Sequence, residues 1–259
     1  MVLERIGRWL AHKLSEPRYL STVPSRPHLL ASTIRPGDVL LVEGVSRFSL
    51  AIKYLTQSTW SHAALYVGHH DGQEGMLIEA DVQDGVRLVH LSHFQHLQTR
   101  ICRPVNLDTD EINDLLGYAL ERLGHQYDLK NIVDLMRYLI QTPPIPNRWR
   151  RRMLALGSGD PTRAICSSLI AQAFQSIRYP ILPEVTLEKT LDPDMEEIHQ
   201  EILHIRHHSL YAPRDFDLSP YFMIVKPTLA SGFDPHQITW REPESLQDSE
   251  ANTPQAKPV

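Results

Sequence analysis

The chain has 259 residues, of which 42% are hydrophobic and 22% charged, with a formal net charge of −5. That balance belongs to a globular protein with enough chain for a full core, and its mild acidity gives no electrostatic case for nucleic acid as a partner. Cys102 and Cys166 are the only cysteines, too few for a disulfide framework, which suits a reducing compartment.

No run approaches the length of a transmembrane helix. Residues 1–10 are interrupted by charge and lack both the apolar centre of a secretory signal and a lipobox cysteine. Read as a helix, Leu3, Ile6, Leu10 and Leu14 share a face, with Trp9 at its edge and Arg5, Arg8 and Lys13 around it. Such a helix can dock on its own domain, and it also suits a membrane surface. The expected location is cytoplasmic, with peripheral contact at the inner face of the membrane as the option this helix leaves open.

Residues 15–33 carry Pro17, Pro24 and Pro27 and read as an irregular connector. Arg35 to Asp38 form a turn into a short apolar strand, Val39 to Val42, and Ser46 can cap a helix holding Phe48, Ala51, Ile52 and Leu55. Thr59 to Gly68 read as a strand entered through a polar corner. A loop from His69 to Gly75 leads to the strand Met76 to Ala80, and Asp84-Gly85 turns the chain into Val86 to Val89. Thr99 to Arg103 form a further strand ended by Pro104. The succession predicts an antiparallel sheet with short connections.

Asp108 and Glu111 have capping-box spacing, before a helix that ends at Gly124. Residues 129–141 predict another helix, stopped by Pro143, Pro144 and Pro146. A helix starting near Cys166 buries Leu169, Ile170, Ala173, Phe174 and Ile177 on one stripe. Residues 186–204 read as a more polar helix, and Tyr221 to Val225 as a late strand. The fold class expected is α+β, a small antiparallel sheet packed against helices. By this division residues 1–33 are an N-terminal helix and connector, 34–230 the catalytic domain, and 231–259 a disordered tail.

Chemistry concentrates in three residues. Cys166 falls in the first turn of its helix, where unpaired N–H groups and the dipole favour a thiolate; it can equally be a packed core residue. His62 sits at the polar entrance of its strand, beside Ser61 and Trp60. Glu79 ends an apolar strand, where a buried carboxylate needs a partner. Hairpin register alone does not guarantee that His62 meets Glu79. Together the three supply a nucleophile, a base and an orienter.

Ser61-His62, Ile78-Glu79-Ala80, Gly85-Val86, Leu123-Gly124-His125-Gln126-Tyr127-Asp128 and Ile165-Cys166-Ser167-Ser168 occur in that order. The series resembles the permuted papain-like amidases of the YaeF/YiiX kind, relatives of NlpC-like cell-wall peptidases and of lecithin–retinol acyltransferase-like proteins. The similarity runs from about Arg35 to Ile177 and again from Ala212 to Phe222. It implies a circularly permuted papain-like fold, with histidine before cysteine, and maps nucleophile, base and third member onto Cys166, His62 and Glu79. It implies a cysteine hydrolase, an amidase or peptidase, that needs no cofactor and works through an acyl-enzyme on an amide or ester, in a peptide or a lipid. Tyr127 becomes a substrate or oxyanion contact, as do Ser167, Ser61 and Trp60. A thiol acyltransferase or lipid esterase of the same fold is the alternative, and a silent membrane-associated binding module is the alternative of another class. The stretch from Asp128 to Ile165 is longer than in the simplest members.

Arg148, Trp149, Arg150, Arg151 and Arg152 form a basic cluster, ordinarily a solvated face. Its functional reading, shared with Trp9, is contact with anionic lipid headgroups. The histidines at 90, 93 and 96, and at 204, 207 and 208, lack a cysteine pair or an HExxH helix, so no metal is expected. Gly157 to Asp160 lack the lysine of a P-loop and read as a link, and Cys102 reads as an inert core residue.

Overall fold

Runs of consecutive apolar residues, buried on both faces, build the central hairpin. Strands β2 (His62–His70) and β3 (Gln73–Asp81) are antiparallel, pairing Leu65 with Ile78 and Tyr66 with Leu77. The computed structural model describes residues 26–81, 84–125, 165–190, 198–204, 207–237 and 239. Only Asp71 and Gly72 join β2 to β3, at φ of 47° and 77°, the two-residue turn whose twist matches a hairpin. The loop expected from His69 to Gly75 is therefore mostly strand.

β4 (Gly85–His90) folds back on β3, setting Glu79 opposite Arg87 and Ala80 opposite Val86. On the other side of β2 lies β1 (Val39–Glu43), which pairs Val39 with Leu65 and Val42 with His62. Outside β1 come β5 (Gln98–Pro104) and β8 (Phe222–Val225). The six strands are ordered β4-β3-β2-β1-β5-β8, and every pair is antiparallel.

Successive side chains on a strand point to opposite faces, so the sheet has two cores. On one face Val39, Leu41, Ala63, Leu65, Ile78 and Ala80 pack with two helices, α3 (Thr109–Leu120) and α4 (Ile165–Ser176). On the other, Leu40, Val42, Ala64, Tyr66, Leu77 and Ile101 pack with Phe94 and with Leu30 of α1 (Pro27–Thr33). The expected stripe of the cysteine-bearing helix is present: Leu169, Ile170, Ala173 and Phe174 are buried, and the Phe174 ring meets Phe222 edge-on at 5.1 Å. Truncating Phe174 to alanine would cost about 3–5 kcal/mol by cavity formation.

The caps follow the sequence. Ser46 accepts from the Ser49 N–H at the start of α2 (Arg47–Thr56), and Asp108 and Glu111 form the capping box of α3. Three further expectations differ from what is observed. The connector contains α1, because Pro27 at a first helical turn has no N–H to lose and a φ already helical. Helix α3 ends at Leu120, and turns carry the chain on to Gly124 at φ 78°. The helix read over 186–204 is instead a hairpin of β6 (Glu184–Thr190) and β7 (Ile198–His204), pairing Val185 with Leu203 and Thr186 with Ile202. Pro193 would break a helix there, and the β-branched residues on either side favour strands.

The helix read over 129–141 lies outside the described residues. The tail read from 231 is described only in part, with a 3-10 turn at Pro235–Gln237. Among the described residues no helix is long and apolar enough to cross a membrane.

Candidate active site

The sheet brings His62 and Glu79 together. From the pairing of Leu65 with Ile78, Glu79 falls opposite Ala64, two residues along from His62 and on its face of the sheet. His62 Nε2 lies 2.6 Å from Glu79 Oε2. An ionised carboxylate only accepts, so the proton in this bond belongs to Nε2 and the neutral imidazole carries its lone pair on Nδ1. The imidazole ring also leans toward Phe94, with 6.1 Å between centroids.

Glu79 is 2% exposed. Its second oxygen, Oε1, lies 2.9 Å from both Nε and Nη2 of Arg87. Burial opposes the charged carboxylate, but the hydrogen bond and charge of His62 and the guanidinium of Arg87 outweigh it, holding Glu79 at about 2. Arg87 in turn bonds to Asp84 through Nη1 and has Asp81 3.8 Å from Nη2. Sequence reasoning missed Arg87. The signal was there: a turn at Asp84-Gly85 sets the residue after Val86 opposite Glu79.

The helix carrying Cys166 is oriented by both its ends. Its C-terminal part is tied to the far end of the sheet: Tyr179 donates its N–H to Phe174 O, and its hydroxyl meets Val105 N at 2.7 Å, just past β5. At the other end Ser167 Oγ donates to Tyr211 O at 2.7 Å. Tyr211 leads into α5 (Pro213–Leu218), whose Arg214 bonds to Thr56 O and whose Asp217 accepts from Trp60 Nε1 at 3.1 Å. Thr56 and Trp60 flank the entrance of β2. The N-terminal end of α4 and the start of β2 therefore sit at one end of the sheet, with α4 on the face of Ala63 and Ala80 and the His62–Glu79 pair on the face of Ala64 and Leu77. The side chain of Cys166 itself lies outside the described residues.

The polar corner around His62 is tightly committed. Trp60 is buried beneath the Arg100 guanidinium, which stands 4.9 Å from its ring and bonds to Asp217 at 2.7 Å. Buried Ser61 accepts from the Gly44 N–H at 2.9 Å. A Cβ on Gly44 would overlap Ser49 Oγ and stand 2.9 Å from Ser61 Oγ, so only glycine fits beside this corner. The expected substrate contacts through Trp60, Ser61 and Ser167 thus fall on buried side chains with partners inside the protein. Tyr127, Trp9, Arg148, Trp149, Arg150, Arg151 and Arg152 lie outside the described residues. Among the described residues no group of three or more His, Cys, Asp or Glu could hold a metal ion.

The domain is mixed α/β with a six-stranded antiparallel sheet, and it carries a histidine–carboxylate pair at the sheet end toward which a cysteine-bearing helix starts. Over part of its length the chain is similar to a known family: the model described as "Permuted papain-like amidase enzyme, YaeF/YiiX, C92 family" matches residues 33–138, less than half of the chain. That span holds His62, Glu79 and Arg87 and ends before Cys166. The probable lipoprotein peptidase YaeF of Escherichia coli (strain K12) is 20% identical over 176 residues, 62% of this chain and 62% of the relative. The chain thus spans about three-fifths of that relative's length. A crystal structure of the metalloprotein yiiX from Escherichia coli O157:H7 aligns at 16% identity and a TM-score of 0.45, covering 74% of this chain and 96% of that one.

Proposed function

We propose that the chain is a cysteine-dependent amidase or peptidase in which Cys166 is the nucleophile, His62 the base and Glu79 the orienter. In this reading Nδ1 of His62 takes the thiol proton while Nε2 stays bonded to Glu79. The thiolate adds to the carbonyl carbon of the scissile bond, and backbone N–H groups in the first turn of α4 receive the oxyanion. Collapse expels the amine or alcohol, which takes the proton from His62, and leaves an acyl-enzyme. Water then adds with His62 as base, releasing the acid and restoring the thiol.

The observation that carries the reading is the 2.6 Å bond between His62 and a buried, ionised Glu79 at the sheet end from which α4 starts. The family's amidase description and the relative's name as a probable peptidase support it, and the histidine-before-cysteine order supports a permuted papain-like connectivity. Incubation with cell extract, followed by mass spectrometry of the Cys166 peptide, tests it. The expected result is an acyl adduct on Cys166 in the wild type that His62→Ala greatly reduces. Unmodified Cys166 in both proteins, with turnover of extract components unchanged in Cys166→Ala, would contradict it.

A further inference from the structure

Glu79 has one oxygen on His62, and what holds the other has a consequence for that contact. The last torsion of a glutamate is broad, so a single hydrogen bond leaves the carboxylate free to swing. Arg87 removes that freedom: its Nε and Nη2 both stand 2.9 Å from Oε1, on the side away from His62. The strand register brings the two residues face to face, and the guanidinium is itself clamped by Asp84.

We propose that Arg87 is a positioning residue of the cysteine site, gripping Oε1 of Glu79 so that Oε2 remains on His62. The proposal rests on the reading of His62 and Glu79 as base and orienter of Cys166. Among the described residues, the charged groups around the Glu79 carboxylate are His62 from β2 and Arg87 from β4, with Asp81 and Asp84 beyond the guanidinium. Arg87 therefore sets both where the carboxylate points and how readily it protonates. A lysine would keep the charge without the planar fork and would hold the ionised form while loosening its aim.

The test uses the full chain with Arg87→Gln and Arg87→Lys. Two quantities are followed against pH: the Glu79 carboxyl by 13C NMR, and the rate at which iodoacetamide labels Cys166. In Arg87→Gln the Glu79 midpoint rises by about one unit or more. Labelling of Cys166 near neutrality falls roughly ten- to a hundredfold, and its pH profile moves. In Arg87→Lys the midpoint stays near that of the wild type while the rate recovers only in part. A folded Arg87→Gln whose Glu79 midpoint is unchanged overturns the proposal, as does a shifted midpoint with an unaltered labelling profile. Should Arg87→Gln fail to fold, Asp84→Asn loosens the same clamp from the surface and must slow labelling in the same sense, or the proposal falls. If wild-type Cys166 labels no faster than Cys102, the nucleophile reading is what fails, and the carboxyl titration still decides whether Arg87 grips Glu79.

Discussion

His62 and Glu79 come from neighbouring strands and meet through Nε2 and Oε2 at 2.6 Å, with the carboxylate buried and the imidazole partly open. Burying the carboxylate costs desolvation that the hydrogen bonds and charges of His62 and Arg87 offset. The bond also chooses the tautomer: with Nε2 donating, Nδ1 is the basic atom.

Glu79→Gln keeps the shape and removes the charge. The amide can present its N–H₂ to His62 and reverse the tautomer, or leave Arg87 facing a neutral oxygen. Either way amide or ester turnover should fall by about 10²–10⁴-fold, with kcat rather than KM carrying the loss. Steady-state kinetics on a substrate found through the trapped adduct would check this, and kcat within a factor of two or so of the wild type would count against Glu79 as orienter.

Acid should weaken the fold through the same residue. The Glu79 carboxyl is held at about 2, below its ordinary 4.5, so the folded state binds its proton less readily than the unfolded chain. The resulting stabilisation, on the order of 2–3 kcal/mol, is complete above about 4.5 and is lost as pH falls toward about 2. Urea titrations across that window should show the wild type losing stability that Glu79→Gln does not lose. Parallel curves for the two proteins would contradict the link.

Ser167 tests whether the residue after the cysteine acts in structure or in binding. Its hydroxyl is fully buried and donates to Tyr211 O at 2.7 Å. Ser167→Ala should lower stability by about 1–2 kcal/mol in urea melts and leave KM unchanged. A raised KM with unchanged stability would make the hydroxyl a substrate contact.

Gly44 is a different kind of constraint. Since a Cβ there meets two serine hydroxyls, Gly44→Ala should displace the corner before β2 and cost about 1–3 kcal/mol. A thermal melt indistinguishable from the wild type would show that the corner yields more easily than its packing implies.

Local signals in the sequence carried much of this architecture. Apolar runs bounded by turn residues marked β2, β3 and β4, and the Asp108–Glu111 spacing marked the start of α3, because those patterns are decided by neighbours a few residues apart. In the 186–204 segment Pro193 is a local sign against a helix, set among polar residues that suit helix and strand alike; the pairing between Val185 and Leu203 is a contact across the hairpin that no local window contains. Cys166, His62 and Glu79 were legible as residue types in an order, but the His62–Glu79 bond was not, since it runs diagonally across two strands. Arg87 was passed over for the opposite reason: an arginine on an edge strand usually marks solvent, and only the register turns it toward a buried carboxylate.

The most direct measurement is a comparison of the two thiols. Cys102 is 0% exposed in β5, and burial pushes its thiol well above the ordinary range, so it should label only as the protein unfolds. Cys166 should react with iodoacetamide near neutral pH at least tenfold faster than Cys102, with an apparent pKa that rises in His62→Ala. Slow labelling of both cysteines at the rate of global unfolding, unchanged by His62→Ala, would contradict the account.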